Sequence, residues 1–176
     1  MSLLRDVAAV LRTRDIAFAI VGAGAMAVHG VTRGTRDLDI LTLAQECLAS
    51  STWTALPTPI EAHIQRGDAQ DPLAGVVRFT VEGQQPVDLV VGKSGWQREI
   101  LARAQVSEID GVRVPVATTS DLILLKLYAG GPQDAWDIEQ LLEIAADRAA
   151  FEARVEAQLV VLPAECRQLW SRIRRR

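Results

Sequence analysis

The sequence has few of the residues that several large classes of protein require. Two cysteines, Cys47 and Cys166, stand in 176 residues, too few for the disulfide framework of a small secreted domain. No apolar run approaches the roughly 18 residues that span a bilayer. The first residues are amphipathic and lack an apolar block followed by a small-residue cleavage site. We therefore expect a cytoplasmic protein with no membrane partner.

Excess positive charge is also missing. The chain has 19 Lys and Arg against 22 Asp and Glu, a net charge of −3, which argues against a globally basic nucleic-acid binder. Aromatic residues make up only 5%, and the four tryptophans are too scattered to predict a stacking platform. Apolar residues make up 49%, enough for a core. The length predicts one domain, or one domain with a small helical annex.

The apolar pattern predicts an α+β fold with a small mixed sheet. Short strands bounded by turn residues are predicted at 17–21, 37–41, 60–65, 76–81 and 86–91. A hairpin is predicted around Asp110-Gly111. From Thr119 onward the pattern is helical, with Thr119 or Ser120 as the N-cap. We place the core in residues 1–118 and a C-terminal helical region packed on it in residues 119–176.

A glycine turn follows the first predicted strand. The stretch AIVGAGAMAVHG contains Gly22, Ala23 and Gly24 in a G-x-G-x-x-A pattern, which is typical of dinucleotide-binding turns. A Rossmann domain needs alternating strands and helices, however, and four predicted middle strands here lack intervening helices. A glycine turn after a strand can also hold other phosphates through exposed backbone N–H groups. The turn alone leaves both interpretations open.

Two aspartates follow the turn in the segment RDLDIL. Side chains alternate along a strand, so Asp37 and Asp39 share one face while Leu38 and Ile40 enter the core. Two aspartates spaced in this way on a strand are, without further evidence, more often solvated than bound to a metal. Asp88, in PVDLVVG, would join the pair if its strand lay beside the first. Three carboxylates near a glycine turn favour metal-assisted phosphoryl transfer, because Mg²⁺ binds carboxylates together with phosphate oxygens.

The same residues resemble a known signature. VGAGAMAVHGVTRGTRDLDIL resembles that of the DNA polymerase β-like nucleotidyltransferase superfamily, and within it the bacterial AbiEii-type toxin group. In that group a helix ending His-Gly precedes R-x-T-x-D-h-D, and a later helix with a lysine precedes D-x-x-D. The matching positions are His29, Gly30, Arg33, Thr35, Asp37 and Asp39, followed by Lys126, Asp134 and Asp137.

The resemblance implies an enzyme that moves NMP from an NTP to an acceptor and releases pyrophosphate, with Mg²⁺ or Mn²⁺ as cofactor. Residues 1–118 would be the catalytic core. Asp37, Asp39 and Asp88 would be the catalytic carboxylates and would bind metal, and Asp88 would also activate the acceptor hydroxyl. The nucleotide-binding residues would be Gly22, Ala23, Gly24, Arg33, Thr35, Lys126 and Asp137. The acceptor would be tRNA, as in the toxin relatives, a small molecule or a protein, and a cognate antitoxin would be a further partner.

Two positions leave alternatives open. The residue after Gly22 is glycine or serine in the group, whereas this chain has Ala23, which tolerates positive φ poorly. We therefore also consider a nucleotide-binding or partner-binding module that keeps the fold without turnover. Lys126 lies in the apolar run DLILLKLY, where it either contacts a triphosphate or extends along an exposed helix stripe to water.

Overall fold

A seven-stranded mixed sheet occupies the first two thirds of the chain. The structure is a computed structural model that describes residues 2–175. The strands are β1 (Phe18–Val21), β2 (Leu38–Thr42), β3 (Glu61–Arg66), β4 (Leu73–Thr80), β5 (Val87–Gly92), β6 (Gln105–Ile109) and β7 (Val112–Val116). The helices of this part are α1 (Leu3–Thr13), α2 (Gly22–Val28) and α3 (Gln97–Arg103).

The strand order in the sheet is β3-β4-β5-β2-β1-β7-β6. The centre is mixed: β2 pairs antiparallel with β1 and parallel with β5, and β1 also pairs parallel with β7. The outer pairs β3–β4, β4–β5 and β6–β7 are antiparallel. No α-helix separates β2, β3, β4 and β5. The predicted α+β class is confirmed, and the alternation that a Rossmann domain requires is absent from the described residues.

The core of the sheet lies along its central strands. Ile20, Ile40 and Leu89 are completely buried on β1, β2 and β5, as the apolar positions of the sequence predict. Helix α1 begins after Ser2 and buries one stripe that includes Leu4 and Leu11, which matches helical spacing. The Ser2 side chain makes no capping hydrogen bond.

The chain divides into two compact units. The first runs up to Ala25 and resumes over Arg33–Ala117, and the second comprises Met26–Thr32 and the chain from Thr118 onward. The division falls inside α2, so a short segment near the N-terminus belongs to the same unit as the C-terminal helices. Sequence periodicity does not reveal such an exchange, because it depends on tertiary packing.

Four helices make up most of the second unit: α4 (Thr119–Ala129), α5 (Pro132–Glu143), α6 (Arg148–Gln158) and α7 (Ala164–Ile173). Helix α4 is almost wholly buried and packs on the other three. Its N-cap is Thr118, whose hydroxyl accepts the Asp121 N–H, so the predicted cap at Thr119 or Ser120 is wrong. Gly130 ends the helix in the left-handed conformation.

Two further features complete the fold. Two 3₁₀ turns, Gln45–Leu48 and Ser50–Trp53, follow β2 in a segment for which the sequence predicted no element. The predicted hairpin is confirmed, with Asp110 and Gly111 both at positive φ as its tight turn requires. Among the described residues, no helix combines the length and apolarity that crossing a membrane requires.

Candidate active site

Three aspartates lie at one edge of the sheet, and we call Asp37, Asp39 and Asp88 the acidic cluster. Asp37 comes one residue before β2, Asp39 is the second residue of β2, and Asp88 is the second residue of β5. The two strands run parallel, with Asp39 directly beside Asp88 in the register. The predicted pairing of these strands is therefore confirmed, and the alternation of side chains puts the three carboxylates on one face.

A fourth charged residue, Arg78, lies beside the acidic cluster in the sheet. On β4, Arg78 lies opposite Asp88 in the antiparallel register, so the row reads Arg78, Asp88, Asp39 and Val21 across four strands. Side chains directly opposite each other in a sheet project on the same side and interact. The row thus sets one cation beside the acidic cluster. Arg78 is not among the site residues that the sequence motifs predict.

The Arg78 guanidinium bridges two of the three carboxylates. Its Nη1 donates to Asp88 Oδ2 at 3.0 Å and its Nη2 donates to Asp37 Oδ2 at 3.4 Å. The Arg78 side chain is 45% exposed, that of Asp37 33% and that of Asp88 15%. The cation therefore approaches from the solvent side, and Asp88 is more buried than Asp37.

Asp88 has a perturbed environment. Burial raises the pKa of its carboxyl above the ordinary aspartate range, Arg78 lowers this pKa and the Asp37 charge raises it further. Oδ1 of Asp88 is buried and has no hydrogen-bond partner among residues 2–175. Such an oxygen is costly unless a hydrogen bond or a cation satisfies it. One oxygen of Asp88 is therefore buried without a partner from the described residues.

Gly22 begins α2 immediately after β1 and lies against the Asp39 carboxylate. Its φ is +62°, and a Cβ at this position would overlap Asp39 Oδ2. Ala23 is buried and is not among the residues with positive φ. The positive φ of this turn therefore falls on Gly22, where glycine allows it, and not on Ala23. Gly24 has a packing role, since a Cβ there would overlap Leu38 Cδ1.

The loop before β2 contains Arg33 and Thr35. The Thr35 hydroxyl lies 2.9 Å from the carbonyl oxygen of Asp37 and 3.3 Å from its Oδ1, so it steadies the entry into the strand. Arg33 donates from Nη1 to the Gly34 carbonyl oxygen at 3.5 Å. Thr35 therefore adjoins the acidic cluster directly, whereas the hydrogen bond from Arg33 to Gly34 is local to the loop.

Lys126 lies in the second unit, where it forms a buried ion pair. Its ammonium contacts Asp137 Oδ2 and lies 3.2 Å from Asp134 Oδ1. Lys126 is 7% exposed and Asp137 0%. Asp134 also accepts the Gly131 N–H at 3.0 Å at the start of α5. The pair therefore joins α4 to α5, and the predicted alternative of a lysine that extends along an exposed stripe is wrong.

The acidic cluster has hard oxygen donors of the kind that Mg²⁺ and Mn²⁺ prefer, and the unsatisfied Asp88 Oδ1 fits such an ion. Within residues 2–175, however, no group of three or more His, Cys, Asp or Glu side chains is gathered around one point as a metal site. Arg78 instead bridges two of the carboxylates, those of Asp37 and Asp88.

Comparison with known proteins gives a consistent result at the level of structure. No protein-family model and no curated protein sequence matches the chain. Solved structures do match it, and three of them have TM-scores above 0.5. One is a candidate nucleotidyltransferase from Thermotoga maritima, with a TM-score of 0.55 and 14% identity over 81% of this chain and 92% of the other.

The second is an antigenic nucleotidyltransferase-like protein from Paracoccidioides brasiliensis, with a TM-score of 0.54 and 18% identity over 96% of this chain and 90% of the other. The third is the lincosamide antibiotic adenylyltransferase LnuA with lincomycin bound, with a TM-score of 0.51 and 15% identity over 81% of this chain and 96% of the other. At these identities the matches establish a shared fold.

Replacing Gly22 with alanine tests the approach of the turn to Asp39. We expect Gly22→Ala to lower the free energy of unfolding by more than the about 1–2 kcal/mol that left-handed backbone alone costs, because the new Cβ displaces the carboxylate. Gly83→Ala is the matched control, with φ +76° and open space around the Cβ. Urea unfolding of both variants measures the difference, and equal losses would contradict a close approach.

Replacing Asp88 with asparagine tests the burial of its charge. The folded carboxyl has a raised pKa, so it binds a proton more tightly than in the unfolded chain. Its unfavourable contribution is absent below the unfolded pKa, about 3.9, and complete above the folded one. We expect Asp88→Asn to raise the Tm at pH 7 and to leave it unchanged near pH 3.

The exposed Asp110 of the hairpin provides the control for this pH dependence. Asp110→Asn should shift the Tm equally at both pH values. A lower Tm for Asp88→Asn at pH 7 would mean that the lost bond to Arg78 outweighs the relief of burial.

Replacing Lys126 tests the buried pair. We expect Lys126→Met to lower the free energy of unfolding by about 3–5 kcal/mol, since it leaves Asp137 charged and buried without its cation. Adding Asp137→Leu should restore much of the loss. If Lys126→Met kept full stability and lost nucleotide binding, Lys126 would belong to the nucleotide site as the sequence predicted.

Proposed function

Because the chain has the nucleotidyltransferase fold, we propose that it transfers a nucleoside monophosphate from an NTP to an acceptor and releases pyrophosphate. The superfamily resemblance is confirmed at the level of fold, and the narrower likeness to AbiEii-type toxins stays a prediction. The observation that supports the activity is the acidic cluster, three carboxylates on one face where β2 and β5 begin, beside the glycine that opens α2.

The residues fit a divalent cation, Mg²⁺ or Mn²⁺, in donor chemistry. Asp37 and Asp39 would bind it through their carboxylates, and Asp88 would add Oδ1, which has no protein partner among the described residues. When bound, such ions neutralise the charge on phosphate oxygens and on the leaving pyrophosphate. This electrostatic contribution is what three adjacent carboxylates cannot provide alone.

The chain's own residues would position the reactants. Asp88 is less exposed than Asp37, and we assign it to accept the proton of the attacking acceptor, because burial raises the pKa of its carboxyl and a higher pKa makes a carboxylate a stronger base. Gly22, Ala23 and Gly24 would face the triphosphate through backbone N–H groups. Of these, only Gly22 is constrained by contact with the acidic cluster.

The remaining predicted nucleotide ligands have unequal support. Thr35 bonds to Asp37, so a role in ordering the acidic cluster is consistent with its contacts. Lys126 and Asp137 already satisfy each other inside the helical unit, which favours a structural role over contact with phosphate. Arg33 stays a prediction. We propose residues 1–118 as the catalytic core and 119–176 as its helical companion.

The acceptor divides the proposal into alternatives. The toxin group that the sequence resembles implies tRNA, with a cognate antitoxin as a partner, whereas the neighbour LnuA is an antibiotic adenylyltransferase that was solved with lincomycin. A protein side chain is the third possibility. A module without turnover was considered on account of Ala23, and this argument weakens because the positive φ lies at Gly22.

Nucleotide binding that depends on both the metal and Asp39 is the central prediction. We expect the wild type to bind ATP with Mg²⁺ in calorimetry and to ignore NAD and FAD with or without the metal. Asp39→Asn should weaken ATP binding at least tenfold, because it removes a charged ligand without changing the side chain's shape. Asp110→Asn, which removes one charge at the exposed hairpin, should bind as the wild type does.

Two results would remove the proposal. One is equal metal-dependent ATP binding by wild type and Asp39→Asn, and the other is tight NAD or FAD binding that is indifferent to the metal. Where binding is as expected, incubation with α-labelled NTPs and separate panels of tRNA, small hydroxylated antibiotics and proteins identifies the acceptor by transfer of label.

A further inference from the structure

Arg78 is a charged contact of the acidic cluster that the proposed function does not use. Arg78 lies in one row of the sheet with Asp88 and Asp39. It donates through one nitrogen to Asp88 and through another to Asp37. A guanidinium is suited to this because its planar set of donors can serve two carboxylates at once. Its position is therefore set by the sheet and by both carboxylates together.

Arg78 contacts the same two carboxylates, Asp37 and Asp88, that a divalent cation would bind. Oδ2 of Asp88 and Oδ2 of Asp37 each accept from the guanidinium. A metal ion placed between Asp37 and Asp88 would meet a positive charge in the same space, so guanidinium and metal cannot both keep these contacts. Either the cation or Arg78 occupies the site between them.

The exposed fractions of the side chains indicate that Arg78, and not the carboxylates, can move away. The Arg78 side chain is 45% exposed, whereas that of Asp88 is 15% exposed and belongs to a central strand. A half-exposed arginine can swing into water on its flexible stem at little cost, and a partly exposed ion pair contributes only modestly to stability. The carboxylates, in contrast, are fixed by the pairing of β2 and β5.

We propose that Arg78 is the exchangeable counterion of the acidic cluster: it occupies the space between Asp37 and Asp88 in the absence of metal, and a divalent cation must displace it to bind there. This inference rests on the proposed function. Its consequence is a weak site for the free metal ion. A cation that arrives with a triphosphate brings further ligand oxygens, so the site favours the metal–nucleotide complex over the metal alone.

Removing the arginine should therefore strengthen binding of the metal alone. We expect Arg78→Gln to bind Mn²⁺, without nucleotide, about tenfold more tightly than the wild type, since displacement no longer breaks charge-assisted hydrogen bonds. Calorimetric titration with MnCl₂ measures this, and the rise in Tm on adding Mn²⁺ should be larger for the variant. A merely structural role for Arg78 predicts a lower Tm and no gain in metal affinity.

Arg113→Gln is the matched control. Arg113 is an exposed strand arginine that lies opposite an acidic residue, Glu108, on the far side of the sheet order. It should leave the Mn²⁺ affinity unchanged. Arg78→Lys retains the charge, but its single ammonium reaches both carboxylates less well, so its Mn²⁺ affinity should rise a few-fold. This variant tests the proposal if Arg78→Gln does not fold.

The outcomes separate this inference from the function on which it rests. If the wild type binds ATP with Mg²⁺ but Arg78→Gln and Arg78→Lys show equal or weaker Mn²⁺ affinity, the counterion role is wrong and the proposed function stands. If the wild type shows no metal-dependent ATP binding, the proposed function fails. If no variant then binds Mn²⁺ alone, the inference fails with it.

Discussion

The register of β4, β5, β2 and β1 is the constraint on which the candidate site depends. It sets Arg78, Asp88 and Asp39 side by side in one row of the sheet. A slip of one residue between any two strands would turn a charged side chain to the opposite face and bury it in the core. The apolar residues between the charges, such as Ile40 and Leu89, are completely buried and hold that register.

The same constraint explains the glycine that precedes α2. Val21 ends β1 opposite Asp39, so the next residue must turn away from the strand directly beside a carboxylate. Gly22 does so at positive φ and leaves no space for a Cβ. The demand for glycine here arises from Asp39 as much as from the turn, which is why one glycine suffices and alanine is acceptable at the following position.

Much of this arrangement could be predicted from the sequence, and its limits have physical causes. Alternation along one strand predicted that Asp37 and Asp39 share a face, and apolar neighbours predicted that Asp88 lies on an adjoining strand. Arg78 was missed because its importance depends on the register between strands. A symmetric hairpin around the predicted turn EGQQ would set Phe79 opposite Asp88, one residue away from the observed partner Arg78. The assignment of part of α2 to the second unit left no comparable signal.

Each unit of the chain contains a carboxylate that needs a cation, and the two solutions differ in reversibility. Asp137 is wholly buried and is paired with Lys126, itself almost inaccessible; neither can be separated without a large desolvation cost. Asp88 is paired with an arginine that is half in solvent, which can leave at little cost. Similar chemistry thus gives a fixed structural pair in the helical unit and, at the edge of the sheet, a pair that is open to exchange with another cation.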